Sequence, residues 1–272
     1  MIPGLPEQHV ETSPDDPWRV KRPAWFYEAL CRGVLVHAPP DKSPQGWPTR
    51  LERLWPVELP DGQLVACDPY VAEAHVPPFT TVLAPGEYEA VIARSHVGPD
   101  HERNAAAILL RSDNARIIGW EMAVTAGQDL TTLGTGEFFG YGVDAGVGML
   151  GSPEGQAAAT AQFAADAGML DDDLSRALLD APLEAVVARP TPGSPRITIF
   201  RSGWGDGSYP TWLGRGENGQ VVVVVNDLLL VEDPYSSESQ PPPPSEPPVP
   251  PAQPGSGDGL GGSDASEARE GE

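Results

Sequence analysis

The chain has 272 residues, 40 % of them hydrophobic, and a formal net charge of −22. That is enough length and apolar content for one large domain or two small ones, and 32 prolines with 30 glycines demand many turns. The acidity repels phosphate backbones and so argues against a nucleic-acid partner, and no run approaches the ~18 apolar residues of a membrane-spanning helix.

The charge is unevenly placed. Residues 234–272 hold Glu238, Glu246, Asp258, Asp264, Glu267, Glu270 and Glu272 against Arg269 alone, a net −6, which leaves −16 on residues 1–233. A basic protein or a divalent cation suits such a surface; acidity that merely aids solubility is the plainer account. Cys31 and Cys67 form no C-x-x-C pair and are too few for a disulfide scaffold. They read as buried thiols in a reducing cytosol. Residues 1–20 carry Pro3, Pro6, Pro14 and Pro17 and lack the apolar centre of a signal peptide, so a cytoplasmic location is expected.

In chain order, residues 1–15 read as a flexible, Pro-rich arm. Asp16 offers a helix cap and Pro17 a first turn, with Trp25, Phe26, Ala29 and Leu30 on one face and Gly33 as a stop. Pro23 inside this stretch moves the expected start towards itself. Six prolines between 37 and 60 mark a loop-rich connector. Strands are expected at 63–67, at 87–95 after Pro85-Gly86, and at 104–110. Over 117–124 the period of two puts Ile118, Trp120, Met122 and Val124 on one face. Ser112-Asp113-Asn114 between the last two suggests that they form a hairpin.

Ser152-Pro153 begins the clearest helix, with an Ala-rich body and Gly168 as its end, and Asp171, Asp172 and Asp173 open a second. Strands return at 197–201 and 209–213. Asn218-Gly219 then signals a hairpin into five consecutive valines, 221–225, a strand buried on both faces. From Pro234 the composition turns to proline, glycine, serine and acid. Residues 234–272 are therefore expected as a disordered tail that cannot bury enough apolar area to offset its ordering entropy. A proline-rich ligand within it is the functional alternative to a plain solvated tail. The expected architecture is α+β and β-rich, an antiparallel sandwich or open barrel over 16–233, with two inserted helices.

Known catalytic signatures are missing. Gly140-Tyr141-Gly142-Val143-Asp144-Ala145 matches G-x-G-x-x-A, but no buried parallel strand precedes it and no helix begins at Ala145. His9, His37, His75, His96 and His101 have no metal-ligand spacing. Ser202 lies in no G-x-S-x-G elbow, and neither cysteine has the electropositive setting of a nucleophile. No catalytic residue is assigned.

Two segments stand out, each an acid flanked by glycines beside an aromatic: Gly140-Tyr141-Gly142-Val143-Asp144-Ala145-Gly146 and Ser202-Gly203-Trp204-Gly205-Asp206-Gly207-Ser208-Tyr209. Turn chemistry alone accounts for Gly-Asp-Gly. The functional alternative is a ligand or partner site built from Tyr141, Asp144, Trp204, Asp206 and Tyr209. Were Asp144, Asp206 and Asp68 to converge, their oxygens would suit Ca²⁺ or Mg²⁺; otherwise they are separate turns or carboxylates accepting backbone N–H bonds.

These two segments resemble the bacterial domain-of-unknown-function family 4241, and Asp68-Pro69-Tyr70, Gly86-Glu87-Tyr88 and Trp120-Glu121-Met122-Ala123 fall where that family's other motifs would. The resemblance covers roughly residues 60–232. The family carries no established activity, so it implies no catalytic role; its association with toxin systems suggests an immunity-type protein. Two readings stand: a non-enzymatic module binding a basic partner, and a metal-dependent hydrolase or small-ligand-binding enzyme built on the glycine-flanked aspartates. The spatial relation of 140–146 to 202–209 separates them.

Overall fold

The computed structural model describes residues 5–13, 16–35, 46–73, 75–111, 115–165 and 173–231. Contacts group residues 1–239 into one unit and 240–272 into another; the expected tail lies outside the described residues. The described chain is β-rich, with helices α1 (Trp18–Arg32), α2 (Pro153–Ala165) and α3 (Asp173–Asp180). Its strands are β1 (Val34–Leu35), β2 (Trp47–Leu59), β3 (Val65–Cys67), β4 (Gly86–Gly98), β5 (His101–Leu110), β6 (Ile117–Met122), β7 (Tyr141–Val143), β8 (Val147–Gly151), β9 (Ala185–Ala188), β10 (Ile197–Arg201), β11 (Gly207–Tyr209), β12 (Thr211–Gly216) and β13 (Val221–Asp227).

Two antiparallel sheets pack face to face. The larger runs β1-β2-β4-β5-β13-β12-β6, the smaller β3-β8-β10-β9. One core lies between them, with Ile92, Leu109 and Val224 against Leu150 and Phe200. A second lies on the far face of the large sheet, where Phe26, Tyr27 and Leu30 of α1 meet Ala93, Ile108 and Val225. A third lies outside the small sheet, where Ala159, Leu174 and Leu178 of α2 and α3 cover Met149 and Ile199. This layering makes β13 apolar on both sides: β5 and β12 flank it, helix and sheet cover its faces, and all five valines are buried.

Local signals explain several elements. Ser152 caps α2 by accepting the Gly155 N–H on Oγ at 3.1 Å. Gly33 ends α1 in the left-handed region with φ 73°. The β12–β13 hairpin turns at Gly219 (φ 78°), whose N–H donates to Gly216 O at 2.8 Å, while Gly216 N–H donates to Gln220 O. Gly219 takes positive φ and Asn218 does not, so the loop spans three residues and not two.

Elsewhere tertiary structure overrules the local reading. α1 begins at Trp18, well before Pro23, and contains that proline. Residues 47–59, expected as connector, form the 13-residue strand β2. Its prolines are tolerated because Pro48 precedes Thr49, where the ladder to β4 begins, and Pro56 sits at a register shift facing Arg196, whose Nε donates to the Pro56 carbonyl at 2.8 Å. β5 and β6 form no hairpin, since β13 and β12 lie between them. Ile118 is 48 % exposed, because β6 bulges opposite β12: Arg215 pairs with Gly119 and Gly216 with Ile117, so Ile117 takes the inward place.

The expected loose arm is docked where it is described. His9 N–H donates to Ile117 O at 2.7 Å, Ile117 N–H to Glu7 O at 2.9 Å, and Tyr27 OH to Pro6 O at 2.9 Å. The arm thereby caps an edge of β6 that would otherwise offer unpaired backbone groups. Both cysteines are free thiols, with Cys67 buried and Cys31 half-buried; burial pushes them up to about 12 and about 11. No described helix is long and apolar enough to cross a membrane.

Candidate functional site

The two Gly/Asp segments meet. β7 and β11 pair antiparallel as a separate two-stranded ribbon, with Tyr141 opposite Tyr209, Gly142 opposite Ser208 and Val143 opposite Gly207. The pairing ends at Val143 and Gly207; Asp144 directly follows the one and Asp206 directly precedes the other, and both are exposed. Among the described residues, neither carboxylate is hydrogen-bonded or ion-paired.

The turn into β11 is held by its own backbone. Gly205 N–H donates to Ser202 O at 2.6 Å, and Ser202 N–H donates to Gly146 O at 3.1 Å, tying the two segments together at the far end. The Gly205 carbonyl accepts both the Ser202 hydroxyl at 2.8 Å and the Tyr209 hydroxyl at 2.7 Å. Gly203 sits at φ 33°, and a Cβ there would fall 2.3 Å from Leu228 O, so only glycine fits this approach. Trp204 projects from the turn, 55 % exposed. Its Nε1 donates to Leu230 O at 3.2 Å, its ring meets Trp47 edge-on at 6.2 Å, and the Arg103 guanidinium lies 5.6 Å from the ring centre.

Asp68 also comes to the ribbon, but not as a metal ligand beside Asp144. It is 1 % exposed; Oδ2 accepts the N–H groups of Asp144 at 2.9 Å and Ala145 at 2.6 Å, and Oδ1 accepts Tyr70 N–H at 3.0 Å. A carboxylate taken out of water needs such donors, and three backbone amides supply them. Among the described residues, no three His, Cys, Asp or Glu side chains could together hold a metal ion. Asp68 thus takes the other role open to it, a carboxylate accepting backbone N–H bonds, and positions the turn that carries Asp144.

The two tyrosines stand on the ribbon's other end, ring centres 6.3 Å apart. Tyr141 OH donates to Asn226 Oδ1 at 2.8 Å. The fully buried Asn226 donates through Nδ2 to Pro210 O at 3.0 Å and Thr211 Oγ1 at 3.2 Å. Burial pushes the Tyr141 phenol well above its ordinary value and outweighs the lowering effect of the Asn226 bond; burial likewise raises Tyr209. Both remain neutral donors. Beside them a cavity of about 180 Å³ is walled by Phe79, Phe139, Tyr141 and Tyr209, with Gln128 and Thr211 on its lining.

Asn226, Phe79 and Phe139 escaped the sequence reading. Asn226 left a trace, as the polar break at the end of the valine run; the phenylalanines left none. The family model described as proteins of unknown function, DUF4241, matches residues 57–226. The chain belongs to the DUF4241 family. No curated protein and no solved structure matches it. In this DUF4241 chain the matched span runs from the end of β2 into β13, and so takes in both strands of the ribbon, Asp68 and the cavity.

Proposed function

We propose that this DUF4241 chain is a non-enzymatic protein-binding domain that takes a basic partner on its acidic surface, in the manner of an immunity protein. The recognition element is the ribbon tip, where Asp144 and Asp206 adjoin the last pair of the ribbon, with Trp204 two residues before Asp206. The supporting observation is the β7–β11 pairing, which brings two exposed carboxylates from segments some sixty residues apart to one end of a single ribbon. Exposed carboxylates contribute on-rate and partner choice, and an exposed tryptophan supplies contact area. A cytoplasmic setting belongs to the same reading, since both cysteines are free thiols.

The test is retention of basic proteins by the immobilised full chain, compared with an Asp144→Asn/Asp206→Asn double variant whose fold is checked by circular dichroism. At about 0.01 M salt, where charges act over about 30 Å, the native chain retains basic proteins. At about 1 M, where that range falls to about 3 Å, retention is lost. The double variant retains several-fold less at low salt. Equal retention by the variant, or none by the native chain, overturns the proposal.

A further inference from the structure

We propose that the cavity walled by Phe79, Phe139, Tyr141 and Tyr209 is a receptor for an organic ammonium head group, quaternary or lysine-like. The inference stands on the cavity itself and goes beyond the basic-partner reading of the ribbon tip.

Four aromatic side chains, from the loop before β4, the loop before β7, β7 itself and β11, converge on one space of about 180 Å³. A cavity of about 150 Å³ holds a benzene ring, so this one is on the scale of a trimethylammonium group. Phe79, Phe139 and Tyr141 are half-buried and all three line the cavity. Both tyrosine hydroxyls donate elsewhere, to Asn226 Oδ1 and to Gly205 O. These bonds fix the rings and leave a ligand to meet carbon. Among the described residues, no Lys, Arg, Asp or Glu lines the cavity. The polar side chains on the lining, Thr125, Gln128 and Thr211, are neutral and offer a ligand no ion pair, whereas a cation with a greasy shell is attracted by the negative faces of aromatic rings. The surroundings favour the same sign of charge, because residues 1–233 carry −16. The neutral counterpart, an uncharged apolar group of the same shape, fills the same volume but gains nothing from ring faces or field.

The experiment titrates the full chain with choline and, in parallel, with its uncharged isostere 3,3-dimethylbutan-1-ol, reading chemical shifts of the Tyr and Phe rings by nuclear magnetic resonance. Choline is expected to bind and the isostere to bind at least several-fold more weakly. Phe79→Leu and Phe139→Leu keep the wall apolar but remove a ring, and each is expected to weaken choline about fivefold. Their thermal melts confirm folding, and either variant suffices if the other fails to fold. A third arm uses a short peptide bearing trimethyllysine or lysine: binding tighter than choline assigns the head group to a protein, and tighter choline assigns it to a free small cation. Equal binding of the isostere, or unchanged choline affinity in a folded leucine variant, overturns the inference. So does no choline shift at all, even if basic proteins are still retained at the ribbon tip; choline binding without such retention supports the cavity and sinks the ribbon reading alone.

Discussion

Arg22 of α1 and Asp227 at the end of β13 form a two-pronged ion pair in the core, Nε to Oδ2 at 2.9 Å and Nη2 to Oδ1 at 3.1 Å, with side chains 1 % and 0 % exposed. The remaining hydrogen-bonding capacity is used locally. Arg22 also donates to Val231 O at 3.3 Å, and Asp227 also accepts Leu229 N–H at 3.0 Å. The guanidinium lies 5.2 Å from the ring centres of both Trp25 and Phe26. One pair thus clamps the N-terminal helix to the last strand of the sheet.

Removing one partner strands the other charge away from water. Arg22→Ala or Asp227→Ala is expected to cost about 3–5 kcal/mol. The Arg22→Met/Asp227→Leu double variant removes both charges and puts apolar side chains in their place, and is expected to cost less than either single change. Urea unfolding midpoints at unchanged slope check the order; a double variant weaker than both singles contradicts it.

Gly203→Ala tests the ribbon's anchor. The strained φ alone costs on the order of 1–3 kcal/mol, and the contact with Leu228 O adds to it. Gly136 is the control, since its φ is 79° but open space lies where its Cβ would go. Gly203→Ala is expected to lower the melting temperature clearly more than Gly136→Ala. Equal effects would mean that the close approach to Leu228 carries no weight.

Acid sensitivity should centre partly on Glu102. Hydrogen bonding from Arg50 holds its carboxyl below the usual glutamate range, helped by the charges of Arg50, Arg94 and His96; Arg50 Nη2 donates to Oε2 at 2.8 Å and His96 Nε2 lies 2.9 Å from Oε1. A folded value lowered below the unfolded one contributes stability that is fully present above the unfolded value, about 4.3. It is lost as pH falls through the folded value. Glu102→Gln should therefore lower the urea midpoint at pH 7 and shrink the drop seen on acidification below about pH 4. An unchanged acid profile in Glu102→Gln would remove Glu102 from the account.

Much of the chain was legible because its signals are local. Ser152-Pro153 makes a cap and first turn wherever it stands, Gly33 ends a helix by its own backbone freedom, and five valines belong in a doubly covered strand whatever covers it. The glycine-flanked aspartates were visible for the same reason, as types of turn. β2 was not legible: Pro48 and Pro56 forbid a central strand, and only the sheet order shows that β2 lies next to the edge. Nor was the exposure of Ile118, because a bulge depends on the partner strand's register.

The site divides along the same line. By itself the sequence determined that Asp144 and Asp206 sit in tight glycine turns beside aromatics, since that follows from backbone freedom within a few residues. Only tertiary structure decided that these turns pair as one ribbon. It also decided that Asp68 is spent on the backbone N–H groups of 144 and 145, and that Phe79 and Phe139 complete a cavity with the two tyrosines. Those contacts join residues tens of positions apart; the burial that drives them is non-directional, so composition and spacing leave their partners open until the sheets close.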